Sequence, residues 1–179
     1  MLHVVSGRAT CADSNFLYHI DNVALPVVSF VTDLGVTYDD KLKFRPHIDR
    51  IVSKAALRAK LILKCFQSRD PGLLARAFCT FVRPILEYGC TIWNPLFKRD
   101  ISKIESVQRQ FTKRLKGFYS LSYTCRLDRL GLDSLYCRRV KSDLTMCYRM
   151  LNNLVAIDSD IFFKRSAVRN TRGNSMKLD

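Results

Sequence analysis

From Phe44 onward, apolar residues recur with the spacing of an α-helix, and this periodicity constrains the fold more than any other feature. Between residues 44 and 67 they follow an i, i+3, i+4, i+7 ladder, which predicts one buried stripe along a helix. The ladder consists of Ile48, Ile51, Val52, Ala55, Ala59, Ile62, Leu63 and Phe66. Basic side chains occupy the opposite side, so this helix has an apolar face and a basic face.

A second helix is predicted to begin at Asp70, a good N-cap, with Pro71 at the first helical position. Apolar residues occur nearly all round it, which predicts a central helix with Phe81 in the core. Pro84 predicts a kink just before it, because proline cannot donate to the helical ladder.

The rest of the helical region predicts two more amphipathic helices with a loop between them. One runs from a cap at Asp100 to residue 118, and the other covers residues 134–154. In the last helix Tyr136, Leu144 and Tyr148 share the predicted buried face. The pattern therefore predicts a mainly α fold, a bundle of about four helices.

The first 40 residues differ from this helical region. Short β-type runs separated by turn residues predict a small antiparallel β element, with Asp21-Asn22 as a hairpin turn and Gly35 as a bend. After residue 156 the chain becomes polar and basic, which predicts a loosely ordered tail. The predicted organisation is thus a β element (1–40), a helical domain (41–155) and a tail (156–179).

The chain carries no recognisable catalytic constellation. Asp39-Asp40 follows Tyr38, but a two-metal polymerase box has one residue between its aromatic and its acid pair, so an exposed turn is the better interpretation. The three histidines are scattered, and the seven cysteines lack the spacing of zinc knuckles. We therefore expect no metal or cofactor, and reduced thiols in an intracellular, non-secreted protein with no membrane span.

Charge is the remaining signal. The chain has 30 Lys and Arg against 16 Asp and Glu, a formal net charge of +14, which favours a polyanionic partner. The candidate nucleic-acid-binding residues lie on basic helical faces: Arg50, Lys54, Arg58 and Lys64 on the first helix, with Arg109 and Lys113 on the third. If the helices pack into one bundle, these faces predict a continuous, salt-sensitive surface for phosphates.

Several sequence strings occur in an order that is informative as a whole. They are LHVVSGR, FLYHIDNVALPVV, TDLGVTYDDKLKFRPHIDRIVSKA, RAFCTFVRPILEYGCTIWNP, DISKIESVQRQFTKRL and TRGNSMKL. This series resembles the reverse transcriptases of non-LTR (LINE-type) retrotransposons, from the end of the palm through the thumb. The resemblance covers nearly the whole chain.

The resemblance implies roles for matching positions. Asp33, Leu34, Gly35 and Val36 are similar to the primer-grip hairpin, where a glycine lets backbone approach a sugar-phosphate closely. The helices are similar to the thumb, which lies along an RNA/DNA template–primer duplex. Glu87, Tyr88 and Trp93 are expected to hold the bundle together. Whether Gln108 and Arg109 face nucleic acid stays open.

The chain also departs from the family pattern. The family's aromatic-x-Asp-Asp box, which binds Mg²⁺, and its fingers and most of its palm are missing, so this chain is expected to be a non-catalytic fragment. Its other expected partner is the missing palm and fingers. Two alternatives stay open: a helical module that binds an acidic protein or membrane surface, and part of a longer active polymerase with a truncated gene model.

Overall fold

A computed structural model of the protein describes residues 19–164 and 166, and two small antiparallel ribbons precede the helices. In the first ribbon, β1 (His19–Ile20) pairs with β2 (Val23–Ala24). The turn residues Asp21 and Asn22 have positive φ values of 47° and 61°. Asparagine and aspartate tolerate this backbone better than most residues, so the predicted hairpin turn is confirmed.

The second ribbon pairs β3 (Phe30–Asp33) with β4 (Val36–Asp39), in a register that sets Asp33 opposite Val36. Its turn consists of Leu34 at φ 45° and Gly35 at φ 82°. Two positive φ values match the type I′ turn that suits the twist of a two-residue hairpin. The bend predicted at Gly35 is therefore a complete reversal of the chain.

Seven α-helices follow within the described residues, and the mainly α prediction is confirmed. They are α1 (Arg45–Cys65), α2 (Pro71–Phe81), α3 (Arg83–Glu87), α4 (Cys90–Trp93), α5 (Lys98–Lys113), α6 (Tyr123–Leu130) and α7 (Leu135–Leu151). The prediction of about four helices was too low. The break at Val82, just before Pro84, separates α2 from α3, and the two-turn α6 occupies a segment predicted as a loop.

Side-chain caps define where α2 and α7 begin. The Asp70 carboxylate accepts a hydrogen bond from the Leu73 amide of α2, and the Ser134 hydroxyl accepts one from the Cys137 amide of α7. The cap predicted at Asp100 was wrong, because α5 begins two residues earlier, at Lys98. Asp100 instead lies buried in its first turn, 3% exposed.

One hydrophobic core joins the second ribbon and the helices. Its members include Val36 of β4, Ile48 of α1, Phe78 of α2 and Ile104 of α5. The predicted ladder of α1 supplies Ile48, Ile51, Ala55, Ala59 and Ile62 to this core. The ribbon therefore shares its core with the helical domain, rather than forming a separate unit.

Two core predictions fail on the outer faces of the bundle. Phe81, the last residue of α2, is 49% exposed. In α7 the stripe of Tyr136, Leu144 and Tyr148 faces outward, whereas Arg139 is buried at 1% exposure. The apolar periodicity correctly predicted this helix, but it predicted the wrong face of the helix as buried.

Past α7, a short 3₁₀ helix (Ser159–Ile161) buries Ser159, so the start of the predicted tail is ordered. Residues 165 and 167–179 of that tail, like residues 1–18 of the predicted β element, fall outside the described residues. Six described cysteines are free thiols. No described helix combines the length and apolar character that a membrane span requires.

Candidate nucleic-acid interface

The turn of the second ribbon is held against the helices by side chains that bind its carbonyl groups. Arg50 of α1 donates from Nη2 to the Gly35 carbonyl at 2.5 Å, and the Tyr88 hydroxyl donates to the Leu34 carbonyl at 3.1 Å. A Cβ placed on Gly35 would lie 3.7 Å from the Tyr88 ring. The turn is therefore fixed next to α1 and the end of α3.

A cleft of about 300 Å³ opens where the turn meets these helices. We call it the turn cleft; it is lined by Gly35, His47, Arg50, Ile51, Lys54, Ile85 and Tyr88. Exposed basic side chains of α1 and the backbone of a glycine thus face one cavity. Such a combination suits a phosphate group, which accepts hydrogen bonds and carries negative charge.

The four primer-grip-like positions divide between surface and core. Asp33, Leu34 and Gly35 are exposed, and Leu34 is 82% exposed. Val36 is only 2% exposed and packs into the hydrophobic core. Its side chain therefore positions the ribbon and cannot itself reach a ligand.

Arg50, Lys54 and Arg58 form a ridge along one flank of α1, which we call the basic ridge. All three are exposed, and their i, i+4 spacing separates neighbours by about 6 Å along the helix axis. Neither Lys54 nor Arg58 has an acidic partner in the part of the chain that the structure describes. Lys64, also exposed, lies about 21 Å from Arg50 along the axis.

The predicted basic surface is divided, because Arg109 and Lys113 lie on a different side of α5 from α1. The Arg109 guanidinium lies over the Tyr123 ring at 5.0 Å, and the Lys113 ammonium lies over the Tyr119 ring at 4.9 Å. The edge of α5 that packs along α1 carries Lys103, whose ammonium pairs with Asp49. Arg109 and Lys113 therefore do not extend the basic ridge.

Gln108, whose orientation the sequence left open, is structural. It is 1% exposed, and its amide donates to the Tyr123 hydroxyl at 3.2 Å and to the Asp133 carbonyl at 3.0 Å. Of the three residues expected to hold the bundle together, Glu87 and Trp93 lie within it, whereas Tyr88 is 60% exposed and lines the turn cleft. Glu87 forms a bidentate ion pair with Arg138, and buried Trp93 donates to the Tyr88 carbonyl at 2.8 Å.

His47 was missed by sequence reasoning, which treated it as a surface or turn histidine. It is 1% exposed, its ring lies 5.1 Å from that of Trp93, and its Nδ1 accepts a hydrogen bond from the Thr37 amide at 3.2 Å. This bond places the ring proton on Nε2, which has no hydrogen-bond partner among the described residues. Burial, with a smaller effect from the Arg50 charge, lowers the pKa of His47.

This arrangement predicts that acid destabilises the protein through His47. The pKa of His47 in the folded state lies below its unfolded value of about 6.5. At pH values between these two pKa values, the unfolded state therefore binds the proton more readily than the folded state. The contribution of His47 to stability is thus fully present above about pH 6.5 and is lost as pH falls through the folded pKa. We expect the free energy of unfolding, measured in urea from pH 7 to pH 5, to decrease.

The control compares slopes and not absolute stabilities. The His47→Gln variant should flatten the dependence of unfolding free energy on pH, whereas His19→Gln, at an exposed position, should leave the slope unchanged. An unaltered slope in His47→Gln would show that other groups cause the acid sensitivity.

Of the adjacent aspartates predicted as an exposed turn, Asp39 ends β4 and Asp40 begins the turn that follows, and both are half-buried. Asp39 accepts hydrogen bonds at Oδ1 from the amides of Lys43 and Phe44, at 2.6 and 3.1 Å, and so shapes the entry into α1. Within residues 19–164, no cluster of three or more His, Cys, Asp or Glu side chains is arranged to hold a metal ion.

Comparison with known proteins gives one significant similarity. The chain is 33% identical over 101 residues to an uncharacterized protein of Caenorhabditis elegans, an alignment that covers 56% of this chain and 51% of that protein. The chain thus spans about half the length of the curated relative it matches. No family model and no solved structure matches the chain.

Proposed function

We propose that the chain is a non-catalytic, nucleic-acid-binding fragment of a non-LTR retrotransposon reverse transcriptase, equivalent to the end of the palm and the thumb. The observation that carries this proposal is the turn cleft. It brings the exposed Gly35 backbone next to Arg50 and Lys54 of α1, at least 15 positions later in the sequence, and the resemblance associates these positions with primer and duplex contacts.

The spacing of the basic ridge suits the backbone of a duplex. Successive ridge residues are about 6 Å apart along α1, close to the advance of two phosphates along one strand of a DNA duplex, at about 3.4 Å each. Lys54 and Arg58 are exposed and have no acidic partner within the described residues, so their charges are available. Contacts of this kind position a protein on a template–primer duplex without reading its sequence.

The chemistry of nucleotide transfer would belong to the parent polymerase. In the family, Mg²⁺ is held by the aspartates of the aromatic-x-Asp-Asp box, which this chain lacks. Asp39 is already engaged by two backbone amides. We therefore propose that the chain binds the duplex and also packs against the palm and fingers of a parent polymerase.

Replacing Lys54 and Arg58 together by alanine should weaken binding to an RNA/DNA template–primer duplex by about tenfold at low salt. Two lost phosphate contacts should also reduce the slope of log affinity against log salt by about 1.8, from about 0.9 per phosphate. Fluorescence anisotropy with a labelled duplex measures both quantities. Thermal unfolding should be almost unchanged, since both side chains are exposed.

A matched control removes two charges elsewhere: Arg99 on α5 and Arg149 on α7 are both exposed. The Arg99→Ala/Arg149→Ala variant should keep the affinity and the salt slope of the original chain. Equal losses in both double variants would indicate diffuse attraction to net charge and contradict the ridge. Primer extension by the purified chain with Mg²⁺ and nucleotides would contradict the non-catalytic proposal.

A further inference from the structure

A second cleft, of about 570 Å³, lies between the start of α2, α3 and the end of α6. We call it the arginine cleft, because Arg76, Arg83 and Arg129 reach it from three different helices. Its lining also includes the half-buried apolar residues Phe118 and Leu130. This volume is within the range of sites that accept small ligands, about 300–1,000 Å³.

The arginine charges in this cleft are only partly compensated. Arg76 and Arg129 are exposed and form no ion pair among the described residues. Arg83 lies 3.8 Å from a carboxylate oxygen of Glu87, but both oxygens of that carboxylate already accept from Arg138. Asp70 is the one carboxylate in the lining, and it is occupied by the Leu73 amide at 2.6 Å.

We propose that the arginine cleft binds one nucleotide of an unpaired nucleic-acid strand. Arg76 and Arg129 would hold the phosphate, because a guanidinium offers paired donors that match phosphate oxygens. The base would lie against Phe118 and Leu130, since basic grooves with aromatic surfaces bind single strands without reading sequence. A site of this size is large enough for a single nucleotide.

This cleft is separate from the turn cleft. The two share no lining residue, and α3 lies between them. Arg83 faces the arginine cleft, whereas Ile85, two positions later and so on the opposite side of the helix, lines the turn cleft. The inference therefore does not depend on duplex binding by the basic ridge.

The test measures binding of a fluorescein-labelled oligothymidylate to the full chain. We expect the Arg76→Ala/Arg129→Ala variant to bind it about tenfold more weakly, with a salt slope lower by about 0.7, the contribution of the one phosphate that the two arginines hold. The Lys54→Ala/Arg58→Ala variant, altered only on the basic ridge, should bind it normally. The Arg99→Ala/Arg149→Ala variant controls for net charge.

Competition separates the two sites and the two proposals. A saturating unlabelled duplex should leave the oligothymidylate bound, and complete displacement would mean one shared surface and overturn the inference. If the original chain binds the oligothymidylate but not the duplex, the result contradicts the proposed function and does not affect the proposal for the arginine cleft. Unchanged oligothymidylate binding in Arg76→Ala/Arg129→Ala would overturn the proposal that the arginine cleft binds a nucleotide. It would not affect the proposal for the basic ridge.

Small competitors establish which part of the strand is recognised. Thymidine monophosphate should displace the oligothymidylate at lower concentration than inorganic phosphate or thymidine. This order requires both the arginines and the apolar lining. Equal competition by inorganic phosphate would show that the cleft holds an anion only, and would overturn the assignment to a nucleotide.

Discussion

Replacing Glu105 by alanine should lower the free energy of unfolding by about 3–5 kcal/mol, the cost of removing one partner from a buried charged network. Glu105 is 6% exposed, and its carboxylate accepts from the Leu135 amide at 3.2 Å and the Tyr136 amide at 3.0 Å. It also accepts a short hydrogen bond from the Tyr123 hydroxyl. One side chain of α5 thereby fixes the beginnings of both α6 and α7.

Removing this carboxylate would affect several groups at once. Two amides in the first turn of α7 would lose their acceptor, and the positive end of that helix would lose its nearest negative charge. Arg139, which is 1% exposed and forms no side-chain hydrogen bond within the described residues, would lose a compensating charge. Burial already lowers the pKa of Arg139, so this loss leaves a poorly solvated cation.

Urea unfolding followed by circular dichroism measures the loss. The Glu105→Gln variant retains size and one acceptor oxygen, so it should lie between the alanine variant and the original chain. Asp128→Ala, at an exposed position of α6, is the matched control and should change stability by about 0.5 kcal/mol or less. A Glu105→Ala loss no larger than that control would contradict the network.

Phe78 and Phe81 provide the second large prediction, because they lie one turn apart in α2 with opposite surroundings. Phe78 is fully buried, with its ring 4.7 Å from that of Phe111, whereas Phe81 is 49% exposed. Phe78→Ala should cost about 3–5 kcal/mol, since it leaves a cavity where α2 meets α5. Phe81→Ala should cost about 1 kcal/mol or less, because half of its ring already contacts water.

Thermal and urea unfolding of the two variants, measured in parallel, tests this difference. Phe78→Leu is a useful third variant, because it keeps most of the buried volume and should recover part of the lost stability. Equal losses for Phe78→Ala and Phe81→Ala would show that something covers the outer face of α2, and would restore the sequence prediction that Phe81 is a core residue.

Features encoded by neighbouring residues were predictable. The Asp70 cap, the break before Pro84 and the Asp21-Asn22 turn each depend on chemistry within a few positions, and all three are present. The buried stripe of α1 was also predicted correctly, because its basic residues leave only one face that can enter a core.

The failures involve long-range packing. Tyr136 and Phe81 are large and apolar, so the sequence pattern predicts that they are buried. Only the helix faces that neighbouring helices cover can bury side chains, and both residues are about half exposed. Arg139 enters the interior within the electrostatic influence of the Glu105 carboxylate, which is 34 positions away in the sequence and which no local pattern reveals. His47 is similar, since its burial depends on Trp93 and on the amide of Thr37.

The candidate site also combines features that the sequence predicted with features that it did not. The exposed charges of Arg50, Lys54 and Arg58 were predicted, because a basic face opposite an apolar stripe must point outward. The approach of the Gly35 turn to Arg50 was not, since it depends on how the ribbon packs on α1. Nor was the arginine cleft, whose three arginines are separated by up to 53 positions, from Arg76 to Arg129.

The attachment of the second ribbon has a mechanical consequence. The ribbon has only two strands in the described chain, so it gains little rigidity from a sheet. Its position depends on Val36 in the core, on hydrogen bonds donated by Arg50 and Tyr88, and on the hydrogen bond that His47 accepts from the Thr37 amide. In any domain rotation, we therefore expect the ribbon and α1 to move as one rigid body. The distance from Gly35 to Arg50 would then stay constant during the rotation.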